Sequence, residues 1–192
     1  MKMPNKYKET SAGGFTPPAL GGHICVIKEV TETTSKNGQP QIIVYYDFAP
    51  DDSQPRYFEN QFRDDIRPEK KWPYAGTAWI NVEDRDGNCS RSFKQFTTSF
   101  ERSNDVELVW GQAFANQFPG KMIGAVYGEK QHEYNGKVSM RHERFWFCDA
   151  NVAQSADIPP ARYKDGTQSA PVAPGAQTDV FAPSVDEELP FA

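Results

Sequence analysis

The sequence predicts a mainly β domain: a five-stranded Greek-key barrel with one or two short helices, insertions between the strands and a disordered C-terminal tail. Three observations carry this. Asn37-Gly38 and Asn135-Gly136 each separate runs rich in β-branched and aromatic residues, and Asn-Gly accepts the positive φ values that a two-residue hairpin turn demands. Aromatic residues make up 13% of the chain while leucine is scarce, a balance that favours strands and stacking surfaces over a helical bundle. One clear helical stripe, Phe93, Phe96 and Phe100, falls between the third and fourth strands, where it would plug one end of a core.

In chain order, residues 1–21 are polar and Gly/Pro-rich and read as an arm leading into a domain over 22–150. His23 to Thr34 is the first strand, with Ile24, Val26 and Val30 on one face and Cys25 and Ile27 on the other. After the first Asn-Gly turn, Gln41 to Phe48 is the second. Arg56 to Phe62 is a candidate third strand. Residues 63–75 form a basic, aromatic loop in which Pro68 and Pro73 break any helix. Thr77 to Val82 is a short strand with Ala78, Ile80 and Val82 inward and Trp79 outward. Asp84 to Asn88 is a turn. Ser92 and Gln95 fit a capping box that opens the Phe93/Phe96/Phe100 helix. A second short helix is expected over Trp110 to Phe118, ended by Pro119-Gly120. Lys121 to Tyr134 and Lys137 to Cys148 make a long closing hairpin, with a bulge or bend expected near Gly124 and Gly128. Along its second arm Val138, Met140, His142, Arg144 and Trp146 share one face. From Asn151 the periodicity stops, and 151–185 read as a disordered linker to an acidic tip at 186–192.

Two or three strands, a helix and then a closing hairpin is the element order of an OB-fold. The net charge of −5 is uneven: residues 1–150 hold 19 Lys and Arg against 20 Asp and Glu, and residues 151–192 hold 2 against 6. Any anion-binding surface must therefore come from local clustering. Cys25, Cys89 and Cys148 are too far apart for a CxxC motif, and His23, His132 and His142 lack ligand spacing, so reduced thiols and no metal are expected. No apolar run reaches membrane length, and a cytoplasmic protein without membrane or cofactor is expected.

The tip is Asp186-Glu187-Glu188-Leu189-Pro190-Phe191-Ala192, three carboxylates running into an apolar end. It resembles the acidic tail tip of bacterial and phage single-stranded DNA-binding proteins. That resemblance implies docking of Asp186 to Phe191 onto replication, recombination and repair proteins, and competition with DNA for the protein's own groove. The family usually ends on its phenylalanine, whereas Ala192 follows Phe191 here. The segment 120–137, with Gly120-Lys121-Met122-Ile123-Gly124-Ala125-Val126-Tyr127 and Glu133-Tyr134-Asn135-Gly136-Lys137, is similar to the closing hairpin of phage proteins from Gram-positive hosts assigned to OB-type single-strand binders. Many relatives assemble, so a homo-oligomer is compatible with the resemblance.

Binding single strands without sequence preference needs cations that track phosphates and aromatic faces that stack on bases. Three places offer both. The second hairpin tip holds Lys130, His132, Tyr134 and Lys137, followed by Arg141 and Arg144. The segment 56–74 holds Arg56, Tyr57, Arg63, Lys70, Lys71, Trp72 and Tyr74. Trp79 stands alone on the outward face of its strand. Each aromatic has a competing role: Trp79 packed beneath a loop, Trp72 and Tyr74 in a satellite cluster beside Pro73, Trp146 closing the barrel. No catalytic residues are identified. Glu83, Asp84 and Asp86 surround a turn, and neither a phosphate-gripping glycine loop nor a G-x-S-x-G elbow is present. The alternative function is a protein-interaction adaptor or recombination mediator on an OB-like barrel that does not itself bind DNA.

Overall fold

The computed structural model describes residues 16–164. The chain builds β1 (Gly21–Thr34), β2 (Pro40–Phe48), α1 (Tyr57–Asp64), β3 (Thr77–Asn81), α2 (Arg91–Asn104), β4 (Met122–Tyr134), β5 (Lys137–Cys148) and α3 (Ala150–Ala153), with single 3-10 turns at Tyr74–Gly76 and Phe114–Gln117. All five strands join one antiparallel sheet in the order β3-β2-β1-β4-β5. The mainly β architecture expected from sequence is present, and the sheet does not close on itself as a barrel. No ladder joins β3 to β5 among the described residues, so the sheet is open and both end strands keep a free edge.

β1 organises the sheet because its two halves serve different partners. Gly21 to Val26 pairs with β4, and Cys25 to Thr34 pairs with β2. A bulge at Lys28 lies between the register pairs of Ile27 and Glu29. One extra residue flips the side-chain alternation. Val30 therefore joins Cys25 and Ile27 in the core rather than sharing a face with Ile24 and Val26. The core is strongly aromatic: Tyr46, Phe48, Phe58, Phe96, Phe100, Phe118, Tyr127 and Phe147 are buried between the sheet, α1 and α2. The helical phenylalanine stripe plugs it, with the Phe96 and Phe100 rings 5.4 and 4.6 Å from Phe118.

The strand expected at Arg56 to Phe62 is instead α1. Its first-turn donors are satisfied from a distance: Phe58 N–H gives to Asp47 Oδ1 at 2.8 Å and Glu59 N–H to Asp47 Oδ2 at 3.2 Å. Asp47 also accepts from Phe48 N–H at 2.9 Å. A carboxylate at the end of β2 thus acts as the cap that α1 lacks locally. The cap of α2 is Ser90 rather than Ser92; Ser90 Oγ accepts from Phe93 N–H at 3.1 Å. The second helix expected over Trp110 to Phe118 shrinks to the turn at Phe114–Gln117, leaving Trp110 66% exposed.

The bend expected in the closing hairpin is a register shift between Val126 and Tyr127 of β4, where Trp146 faces Val126 and Arg144 faces Tyr127. Phe145 is the extra residue. Its ring lies over Gly128, where an added Cβ would come within 2.6 Å of it. Beyond α3 the chain still packs on the sheet: Arg162 N–H gives to Glu129 O and Gln131 N–H gives to Arg162 O, a short parallel bridge along β4. The linker after Lys164 and the acidic tip lie outside the described residues. Cys25, Cys89 and Cys148 are free thiols. No described helix is long and apolar enough to cross a membrane.

Candidate functional site

The opening between β3 and β5 is a groove of about 1020 Å³. One wall is the end of the 63–75 loop and β3, presenting Tyr74, Ala75, Thr77, Ala78 and Trp79; the other is the β4–β5 hairpin, presenting Lys130, His132 and Ser139 to Arg144. Pro17 and Pro18 of the N-terminal arm complete the lining. Free strand edges explain why consecutive β5 residues all reach this groove.

The aromatic wall is a pair. Tyr74 and Trp79, 76% and 43% exposed, have ring centroids 4.9 Å apart and planes 32° from parallel. Trp79 stands on the outer face of β3 because its neighbours Ala78 and Ile80 take the core face.

The opposite wall carries mixed charge. Glu143 lies 3.2 Å from Lys130 Nζ and 2.6 Å from His132 Nε2. The histidine nitrogen has no aligned hydrogen-bond acceptor despite that approach, so the contact is not a directed bond. His142 sits between Pro18 O, which faces its Nδ1, and Glu129, 3.8 Å from its Nε2. Among the described residues no carboxylate pairs with Arg141 or Arg144. The Arg144 guanidinium lies 4.3 Å over the Phe147 ring and its buried Nε has no acceptor. The extra residue at Phe145 is what puts Arg144 there. It moves Arg144 to the side of Phe147, away from the face that strict alternation would share with Trp146.

Beneath the groove, Tyr46 Oη and Tyr127 Oη meet at 2.8 Å, and both reach Ala75 O, at 2.9 and 3.1 Å. Burial pushes the Tyr46 phenol up to about 12 and holds that of Tyr127 well above its ordinary value. Both therefore stay protonated and hold Ala75, a groove-lining residue, in place. At the arm's end, His23 stacks on Phe48 with centroids 4.0 Å apart, its Nδ1 2.9 Å from Asp52 Oδ1 and its Nε2 3.0 Å from Ala19 O.

Six residues singled out from sequence thus meet in one groove: Tyr74, Trp79, Lys130, His132, Arg141 and Arg144. The others do not line it. Tyr134 and Lys137 are exposed at the hairpin tip, and Arg56 is exposed where α1 begins. Tyr57 packs on Phe48 at 5.5 Å, and with Lys71 it lines a neighbouring depression of about 770 Å³ that shares Tyr74 with the groove. Trp72 is a packing residue: its Nε1 gives to Gly76 O at 3.0 Å and its ring lies against Phe62. Arg63 and Lys70 are held in surface contacts, Arg63 Nε with Asp64 and Lys70 Nζ with Arg63 O. Sequence reasoning missed Met140, Glu143, Pro17 and Pro18 as lining residues. Alternation on the second hairpin arm offered Met140; nothing local signalled the prolines. No family model matches the chain, and no curated protein matches it in sequence.

Proposed function

We propose that this protein binds single-stranded DNA without sequence preference, on an OB-type barrel left open between β3 and β5, and recruits replication, recombination and repair proteins through Asp186 to Phe191. The observation that carries the reading is the groove, with a paired aromatic wall facing Arg141 and Arg144. Stacking contributes about 1–3 kcal/mol per base whatever its identity, and cations opposite the stack receive the phosphates. β4 lying beside β1 gives the first four strands the order 4-1-2-3, the arrangement of a Greek key. A five-stranded, partly open Greek key supports the OB reading, as does a groove flanked by the β4–β5 hairpin. DNA rather than RNA rests on the tail's resemblance.

A second reading, a protein-interaction adaptor, has its own observation. Val109 and Trp110 are 72% and 66% exposed beyond α2, an apolar surface with no role in the groove.

Tryptophan fluorescence of the full chain, titrated with a dT oligonucleotide at several salt concentrations and against duplex, separates the two. Quenching by the single strand alone, weakened by salt, supports the DNA reading. A flat response, both from the full chain and from D186N/E187Q/E188Q with its tip neutralised, sinks it and leaves the adaptor.

A further inference from the structure

Arg162, Lys130 and Arg141 stand abreast on one face of the β4–β5 ribbon. Lys130 of β4 pairs in register with Arg141 of β5 on one side and bridges to Arg162 on the other. Residues directly opposite in neighbouring strands project from the same face, and strands lie about 4.8 Å apart, so the row spans roughly 10 Å. All of its members are exposed. Like charges set directly opposite destabilise a sheet. Against the row stands Glu143, 3.2 Å from Lys130 Nζ. Among the described residues no carboxylate pairs with Arg141 or Arg162. The nearby Glu133 is taken by Lys164 at 2.6 Å.

The fold seats Arg162 in this row from two sides. Its N–H gives to Glu129 O at 2.9 Å and its carbonyl accepts from Gln131 N–H at 2.8 Å, which fixes the backbone without using the side chain. The guanidinium lies 3.9 Å from the centroid of the Phe145 ring. That ring rests on Gly128, where an added Cβ would come within 2.6 Å of Phe145 and 2.8 Å of Pro159. A guanidinium stacked on a ring engages its face there and keeps N–H donors along its edge, a fork that suits phosphate oxygens. Lys130 and Arg141 line the groove, whereas Arg162 stands one strand beyond them. The row therefore carries the groove's cationic wall outward across the ribbon.

The geometry points to Arg162 as a further phosphate contact: a single strand leaving the groove past Arg141 and Lys130 crosses the ribbon and lays a phosphate on Arg162. This inference rests on the single-strand reading above. Each phosphate neutralised on a single strand steepens the dependence of log K on log salt by about 0.7. The probe is a dT oligonucleotide of about 20 nucleotides, longer than the roughly 4–16 that one OB-fold covers. In the full chain, Arg162→Ala should bind it with a salt slope shallower by about 0.7 and, at about 0.1 M salt, an affinity about fivefold lower. Arg162→Lys keeps the charge and should retain the parent's slope. If Arg162→Ala binds with the parent's slope and affinity, Arg162 only packs on Phe145, and the groove reading stands without it. A lower affinity at an unchanged slope would overturn the inference as well, because packing alone releases no counterion. If the parent chain itself does not bind, the single-strand reading fails and this inference fails with it.

Discussion

Tyr74 and Trp79 lie ring against ring, centroids 4.9 Å apart, although one ends the 63–75 loop and the other stands mid-strand on β3. Two solvent-facing aromatics that already touch each other present a broad, pre-ordered face to a base. Trp79→Ala should weaken binding of a dT oligonucleotide by roughly 5- to 150-fold, the equivalent of about 1–3 kcal/mol for one lost stack. Tyr74→Ala should weaken it as well, and the double variant by less than the product of the two, because touching residues do not act independently. Anisotropy with a labelled oligonucleotide measures all three. Unchanged affinity in Trp79→Ala would remove the aromatic wall from the site.

On the proposed single-strand reading, Glu143 would restrain binding in the groove. Its carboxylate engages Lys130 at 3.2 Å and His132 at 2.6 Å on the cationic wall. Glu143→Gln should free both, so affinity for single strands should rise and the salt slope should steepen, by about 0.7 for each additional phosphate neutralised. Most substitutions in a binding groove weaken it. A loss of affinity here, with the fold intact by circular dichroism, would show that Glu143 positions Lys130 rather than restraining it.

The two hairpins were legible because Asn-Gly turns act locally; at the second, Asn135 and Gly136 do adopt φ of 50° and 72°. What was not legible depends on residues distant in sequence. Nothing in Tyr57-Phe58-Glu59-Asn60 announces a helix, because its capping carboxylate, Asp47, belongs to the preceding strand. The bulges at Lys28 and Phe145 each invert the alternation beyond them, so strict parity misplaced Val30 and Arg144. The cationic and aromatic residues were recognisable by type. Their meeting was not, because it depends on β3 and β5 staying unpaired. Trp72, grouped with the stacking residues by its neighbours, is turned inward by its bond to Gly76 O.

Asp47 is 1% exposed and accepts three backbone N–H groups. Burial raises its carboxyl above the ordinary value, partly offset by the bonds from Phe58, Glu59 and Phe48. With the folded value above the unfolded one, ionisation opposes folding at neutral pH, and that cost is relieved as pH falls through the raised value. Asp47→Asn removes the charge and keeps one acceptor oxygen, for Phe48 and Phe58 N–H, while Glu59 N–H loses its acceptor, so it should cost less than the alanine variant. Asp47→Ala leaves buried N–H groups unpaired and should cost at least about 2 kcal/mol. Urea unfolding of the two variants checks the order; equal losses would mean that the charge, rather than the acceptor, holds α1.

Tyr46 and Tyr127 carry the same sign into the alkaline range. Their phenols are raised by burial, Tyr46 to about 12 and Tyr127 well above its usual value. Between about pH 10 and 12 the folded state keeps protons that the unfolded state releases. Stability from this source is complete below about pH 10 and is lost as pH rises through the folded value. The chain has eight tyrosines, and absorbance at the phenolate band should show two of them, Tyr46 and Tyr127, ionising only as the protein unfolds. Tyr46→Phe leaves Tyr127 Oη its own bond to Ala75 O. It should therefore change neutral stability by no more than about 1 kcal/mol and make the alkaline loss shallower. Were all eight phenols to ionise together while circular dichroism still reports a folded chain, the buried pair beneath the groove would not exist as described.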